Sequence, residues 1–245
     1  MKGAILARAR VPIVIVDITH ALPPGDIWGG AWVLRRIWMR FPAGTVHLCV
    51  VDPTVGSARR AIAARAGERW FVGPDNGLLG FLGHAPLGPI RIEEVRALRA
   101  TPGAPLPAPT FHGRDVFAPA AAALASGRPE ETLGERVAPE SLVGLDLAPP
   151  RRDGDVIEGT IVHVDGFGNL VTDVPVEWLA ADARVRVGSA RLAGLSASYA
   201  DVAPGEPLLT RGSIGTLEVS VRDGRADEAL GTGRGDGVRI ETAHR

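Results

Sequence analysis

Residues 45–79 read TVHLCVVDPTVGSARRAIAARAGERWFVGPDNGLL, and this stretch decides the fold class. Thr45–Val51 is a short apolar run with the composition of a buried strand, and it stops at the polar turn Asp52-Pro53-Thr54. Ala61–Ala66 and Arg69–Val72 predict two more strands joined as a hairpin, and Gly77–Leu82 a short helix. Upstream, Pro12–Asp17 (PIVIVD) is β-branched and apolar, and predicts another buried strand. The paired prolines of THALPPGD (19–26) forbid helix, and Ile27–Arg40 then places Ile27, Trp28, Ala31, Leu34, Ile37 and Trp38 at helical spacing. Downstream, Pro102–Pro109 is a Pro-rich surface connection. Val116–Ser126 is an Ala-rich helix, opened near Pro119 and closed by Gly127. Strands mixed with helices give an α/β sheet domain over residues 1–148.

The texture changes at 147–155, LAPPRRDGD, a linker with two prolines and a turn-prone DGD. Beyond it short strands follow one another: Val156–Val164, Ala183–Val187, Ala190–Ala193, Pro207–Leu209, Thr216–Val221 and Gly237–Glu241. Many short strands with Gly turns predict a smaller all-β domain, a barrel or sandwich, over 153–245. A length of 245 residues suits two unequal domains.

The chain's balance excludes several classes. Its net charge is −1, so no basic excess points to nucleic acid or an anionic membrane. No uncharged apolar run reaches the roughly 18 residues of a membrane span. Arg8 and Arg10 interrupt the N-terminal apolar run, which therefore fails as a signal peptide. Cys49 is the only cysteine; it excludes an internal disulfide or a thiolate metal cage and is compatible with the cytoplasm. His20, His47, His84, His163 and His244 are scattered, without HxH or HExxH spacing, so no metal site and no cofactor are expected.

Five clusters carry candidate chemistry, and each has a plain structural alternative. Asp52 follows a strand with Arg59 seven positions on across a Gly turn, where open α/β sheets hold ligands; alternatively it only caps a turn. Asp75-Asn76-Gly77 is a turn into a helix or a site loop. His112, Arg114 and Asp115 sit beside Gly113 and have the types for proton handling, or for an ordinary helix start. Asp165, Phe167 and Asn169 offer an acid, an aromatic and an amide on one tight turn, suited to a heterocycle or to nothing beyond the turn. Ser213 precedes a strand with Glu218 at its centre.

Order and spelling together are more specific than any one cluster. DITH (17–20), VVDPTVGSARR (50–60), FVGPDNGLL (71–79), FHGRDVFAP (111–119), HVDGFGNLVTDV (163–174) and GSIGTLEVSV (212–221) resemble the S-adenosyl-L-methionine hydrolases. These are also called SAM hydroxide adenosyltransferases and are related to fluorinase and chlorinase. The resemblance runs over roughly 1–241. It implies an α/β domain followed by a β-barrel domain, and a homotrimer with sites between subunits. The implied reaction is that of SAM with water, giving adenosine and L-methionine. The catalytic set it implies is Asp52, Arg59 and His112. The substrate-binding set is Asp52, Asn76, Asp165, Phe167, Asn169, Ser213, Glu218 and, through its backbone, Val221.

Two departures accompany the resemblance. The family has an earlier strand ending in a TDFG-like motif whose Asp binds ribose, and this sequence starts after that segment. Thr54 stands where the family has Gly, so the loop beside Asp52 is expected to differ. The rival readings are a non-catalytic SAM- or adenosine-binding protein, a SAM-dependent 5′-halogenase, and an α/β protein with no small-molecule site. His112 in place of a halogenase tyrosine and the short Arg60–Asp75 interval speak against the halogenase.

Overall fold

A computed structural model describes residues 1–82, 91–99, 106–145, 148–180 and 182–242. Its contacts divide the chain into two compact units, Met1–Asp146 and Leu147–Arg245. His84, His244 and residues 102–105 of the Pro-rich connection lie outside the described residues.

In the first unit, β1 (Val46–Leu48), β2 (Ala61–Ala66), β3 (Arg69–Pro74), β4 (Glu94–Leu98) and β5 (Gly134–Val137) form a sheet of order β1-β3-β2-β4-β5. β1 runs parallel to β3, while β2 and β3 pair antiparallel as the predicted hairpin. Side chains alternate across a strand, so each strand feeds two cores. Ile62, Ala64 and Phe71 point to one side with Ala31, Leu34 and Trp38. Ala63 and Val72 point to the other, with Phe117, Ala120 and Ala121. The first face is covered by α2 (Ile27–Ile37), which Asp26 caps by accepting from the Gly29 N–H at 3.0 Å and which continues as a 3₁₀ turn over Trp38–Arg40. The second face is covered by α3 (Ala118–Ala125). α1 (Lys2–Leu6) packs Ile5 against Ala118 and Ala122.

The structure corrects some expectations. Pro12–Asp17 forms no strand. Its Ile13 and Ile15 lean on the Ile5–Ala118 cluster, while Val14 is 89% and Val16 59% exposed. A β-branched run makes a strand only when a neighbour accepts its backbone bonds, and none does so among the described residues. The 45–51 strand shortens to Val46–Leu48, and Gly77–Leu82 to a 3₁₀ turn at Gly80–Leu82. β4, β5 and, in the second unit, β8 (Leu170–Pro175) were not expected as strands, and a further strand at Arg151–Asp153 lies inside the stretch read as a linker. Thr54 does not take positive φ: Asp223 is the only non-glycine that does among the described residues, and in this loop Gly56 takes φ 84°.

His47 is a core histidine, stacked on Phe71 at 5.1 Å, and burial pushes its pKa down to about 4. Burial pushes the Cys49 thiol up to about 12, which leaves it unreactive at neutral pH.

The second unit is all-β apart from α4 (Ala226–Leu230) and short 3₁₀ turns. Its remaining strands are β6 (Arg151–Asp153), β7 (Val156–Val164), β9 (Arg184–Val187), β10 (Ala190–Ala193), β11 (Pro207–Arg211), β12 (Thr216–Val221) and β13 (Gly237–Glu241). They run β10-β9-β13-β7-β8-β12-β11, with β6 beside β7. β7 shifts register between Ile161 and His163, the kind of irregularity that bends a sheet towards closure. A bridge between Leu195, just after β10, and Leu209 in β11 brings the two edges together, so the sheet is a nearly closed barrel. Ile157, Ile161, Leu217, Val219, Val238 and Ile240 fill it. Each such side chain contributes about 1.5–3 kcal/mol on full burial. Asp173 is fully buried beside them: Oδ1 accepts the Thr160 N–H at 2.8 Å and Oδ2 has no partner among the described residues. Burial therefore pushes its pKa up to about 6.

Candidate active site

In the first unit three predicted residues meet. Asp52 lies at the end of the extended segment that continues β1, and Arg59 follows across the Gly56 turn. The Arg59 Nε–H donates to Asp52 Oδ1 at 2.9 Å, and Nη2–H donates to Oδ2. This fork is bidentate, and the side chains are 7% and 5% exposed. Nη2 also donates to His112 Nδ1 at 2.9 Å. His112 opens the π-helical turn Gly113–Phe117, and the Phe117 ring lies 5.4 Å beneath the Arg59 guanidinium. Residues 53 positions apart in sequence thus form one cluster.

Two details fix its chemistry. A guanidinium only donates, so His112 Nδ1 accepts, and the neutral ring carries its proton on Nε2. Arg59 Nη1 is buried with no acceptor among the described residues. A buried cationic N–H without an acceptor is a strong call for an oxygen ligand.

The neighbouring motif holds this loop in place. Asn76 Nδ2–H donates to the Val51 carbonyl at 3.0 Å, and its Oδ1 accepts the Leu78 N–H at 3.2 Å. Its amide thereby ties the turn to the residue before Asp52. Asp75 accepts from Arg60 Nε at 2.7 Å and from the Val143 N–H at 2.9 Å. Gly77 has φ 98°, and a Cβ there would meet the Gly144 carbonyl at 3.2 Å. Arg114 and Asp115 pair with each other rather than with His112, and the Asp115 carboxyl is held well below its usual range, chiefly by Arg114.

The second unit gathers another set. Asp165 Oδ1 accepts the N–H groups of Phe167 at 2.8 Å and Asn169 at 3.0 Å, which shapes the turn. Gly168 takes φ 84° there, and a Cβ would strike Asp227 Oδ1 at 2.6 Å. Asn169 Nδ2–H donates to Asp165 Oδ2 at 3.1 Å and reaches the Tyr199 hydroxyl at 3.5 Å. The Tyr199 O–H donates to Glu218 Oε1 at 3.0 Å. Asn169 and Glu218 are buried, whereas Phe167 on the same turn is 79% exposed. Ser213 is exposed one residue after Gly212, where a Cβ would lie 3.2 Å from Glu218 Oε2. The Val221 side chain points into the barrel core. Tyr199 was missed in the sequence. It is the sole tyrosine of the chain, and the Ser198–Asp201 capping box seats it. Burial, then Glu218, raises its hydroxyl pKa, against a lowering bond from Ser220.

Among the described residues no group of three or more His, Cys, Asp or Glu side chains could hold a metal ion, and no helix is long and apolar enough to cross a membrane.

Comparison with known proteins adds independent findings. Residues 1–134 match the SAM hydroxide adenosyltransferase N-terminal domain, and residues 159–239 match its C-terminal domain. The chain is 42% identical to the (R)-S-adenosyl-L-methionine hydrolase of Salinispora tropica, over 96% of this chain and 89% of that one. It is 43% identical to the protein of the same name from Thermus thermophilus, over 98% and 92%. A crystal structure of an uncharacterized conserved protein from Thermotoga maritima superposes with TM-score 0.87 at 34% identity, covering 98% of this chain and 92% of that one. The fluorinase of an Actinoplanes species stands further off, at 29% identity over 66% of this chain and 62% of its own length.

Proposed function

The chain belongs to the SAM hydroxide adenosyltransferase family, and from that premise we propose that it hydrolyses S-adenosyl-L-methionine to adenosine and L-methionine. The observation that carries the reading is the buried Asp52–Arg59–His112 cluster with an unanswered Arg59 N–H. Water attacks C5′ opposite the sulfur. The C5′–O bond forms as the C5′–S bond breaks, and the bonding pair leaves on sulfur. A sulfonium becomes a neutral thioether, so the leaving group needs no acid.

The difficulty lies with the nucleophile, because free water has a pKa near 15.7. Arg59 Nη1–H and His112 Nε2–H are both donors, and donors favour hydroxide over water. The water's proton passes to solvent while the pair holds the oxygen in line. Asp52 fixes the guanidinium and keeps its charge in place, and Phe117 supports its face. Positioning of this kind supplies much of a rate enhancement.

For the nucleoside we assign Phe167 as the stacking surface, Asn169 and Glu218 as the polar contacts, Ser213 beside them and Val221 through its backbone. Asp165 lies at the methionine end, where Oδ2 has lone-pair capacity beyond its bond to Asn169. Asn76 serves the site by bracing Asp52. The two sets lie on different units of the chain, which supports a homotrimer that joins one subunit's catalytic set to another's nucleoside set. Light scattering tests this: a trimer is expected, and a fully active monomer overturns it. The cytoplasm is the compartment we assign, since a lone free thiol suits it.

Product chromatography tests the reaction. Adenosine and methionine should appear, and excess chloride or fluoride should yield no 5′-halonucleoside. Nucleoside binding without turnover would mark a non-catalytic binder instead.

A further inference from the structure

A cavity of about 390 Å³ opens in the first unit among residues 7–10, helix α3 and the 128–133 connection. Its charge is one-sided. Arg8, Arg10, Arg99 and Arg128 line it, and among the described side chains no acidic one does. On a chain of net charge −1, four guanidiniums around one cavity with no acid among its described lining residues is a local departure from balance.

Among the described residues, local pairing leaves two of these charges, Arg10 and Arg128, unanswered. Arg99 bonds Glu135 at 2.7 Å, and Arg8 donates to the Ala4 carbonyl at 3.3 Å and feels the Asp115 carboxylate at longer range. Arg10 and Arg128 make no side-chain hydrogen bond or ion pair among the described residues. The Arg10 N–H donates to Ser126 Oγ at 3.1 Å, which ties this segment to the end of α3 two residues before Arg128. The floor differs in character: Val116, Pro119, Ala120, Ala123 and Leu133 are apolar. Forked guanidiniums match the oxygens of a phosphate, and an apolar floor matches the body of an organic ester. α3 and the turn before it link the two surfaces, with Pro119, Ala120 and Ala123 at the cavity and Phe117, just ahead of α3, beneath Arg59.

We propose that this cavity is a binding site for a small phosphate monoester with an apolar body, separate from the Asp52–Arg59–His112 cluster.

Calorimetry on the full chain tests it with four probes: 1-naphthyl phosphate, pyrophosphate, inorganic phosphate and 1-naphthol. Naphthyl phosphate should bind saturably and most tightly, and naphthol should not bind. Replacing Arg10→Gln together with Arg128→Gln, both exposed, should weaken naphthyl phosphate by about tenfold or more, since each removes charge-assisted bonds. Arg184→Gln on the second unit should leave it unchanged. Absence of saturable binding, or undiminished affinity in the double variant, would overturn the proposal. So would loss of binding on Asn169→Ala, which would move the phosphate into the nucleoside set.

Discussion

Replacing Arg59 by Lys keeps the charge and removes the fork. In the native cluster Nε and Nη2 hold both oxygens of Asp52, Nη2 also holds His112 Nδ1, and Nη1 is left for the nucleophile. One ammonium cannot span these positions. The variant loses at least one bond to Asp52 and the bond to His112, in a place where the Asp52 side chain is only 5% exposed. Hydrogen bonds to charged groups are worth about 1.5–3 kcal/mol each. Two of them give roughly 3–6 kcal/mol, of which local rearrangement recovers a part. The expected loss in kcat/KM is therefore about 10²–10³, at 1.36 kcal/mol per tenfold. Adenosine affinity should stay near wild type, because the nucleoside set lies on the second unit. The assay is steady-state adenosine release by chromatography, with calorimetry for adenosine and circular dichroism for folding. A folded Lys variant that turns over within about threefold of wild type would refute the reasoning, since the fork would then serve structure alone.

His112→Ala should lower turnover by about 10²–10⁴ while leaving adenosine affinity nearly intact, as read by the same two assays. Asn169→Ala should do the reverse and weaken adenosine by about 1–3 kcal/mol in calorimetry, because its partners are left unpaired. Asp173→Asn concerns stability. The carboxyl titrates at about 6 when folded against an ordinary 3.8, so its contribution is fully present below 3.8 and is lost as pH rises through 6. That loss is on the order of 3 kcal/mol. The Asn variant should therefore show a flatter fall in Tm between pH 4 and 7 by calorimetric scanning. An unchanged slope would place the titrating group elsewhere.

Much of the fold was legible where side-chain alternation and pairing agree. AIAARA and RWFV form the hairpin because each strand sends alternate residues into two cores. Val156–Val164, Thr216–Val221 and Gly237–Glu241 form strands over those bounds because alternate residues of each enter the one barrel core. PIVIVD misled because propensity speaks for one chain segment and a ladder needs two. EVRAL was passed over because Glu94 and Arg96 look like surface residues. In the sheet Glu94 is buried and paired with Arg96 and Arg65, so the charge is neutralised in place. The candidate site was legible as spelled motifs, not as geometry. The seven-residue step from Asp52 to Arg59 is local, but His112 arrives through the turn ahead of α3, which no spacing rule supplies. Tyr199 escaped because a lone tyrosine in a Ser-rich loop has no periodicity, and only the barrel brings it to Glu218.

The central claim is that water oxygen is transferred to C5′. The direct test is to incubate the full-length protein with S-adenosyl-L-methionine in oxygen-18-labelled water, with EDTA present, and to analyse the products by mass spectrometry. The account predicts adenosine labelled at the 5′-hydroxyl and unlabelled methionine in equal amounts. Unlabelled adenosine, S-adenosylhomocysteine, or activity that disappears in EDTA and returns with a divalent ion would contradict it.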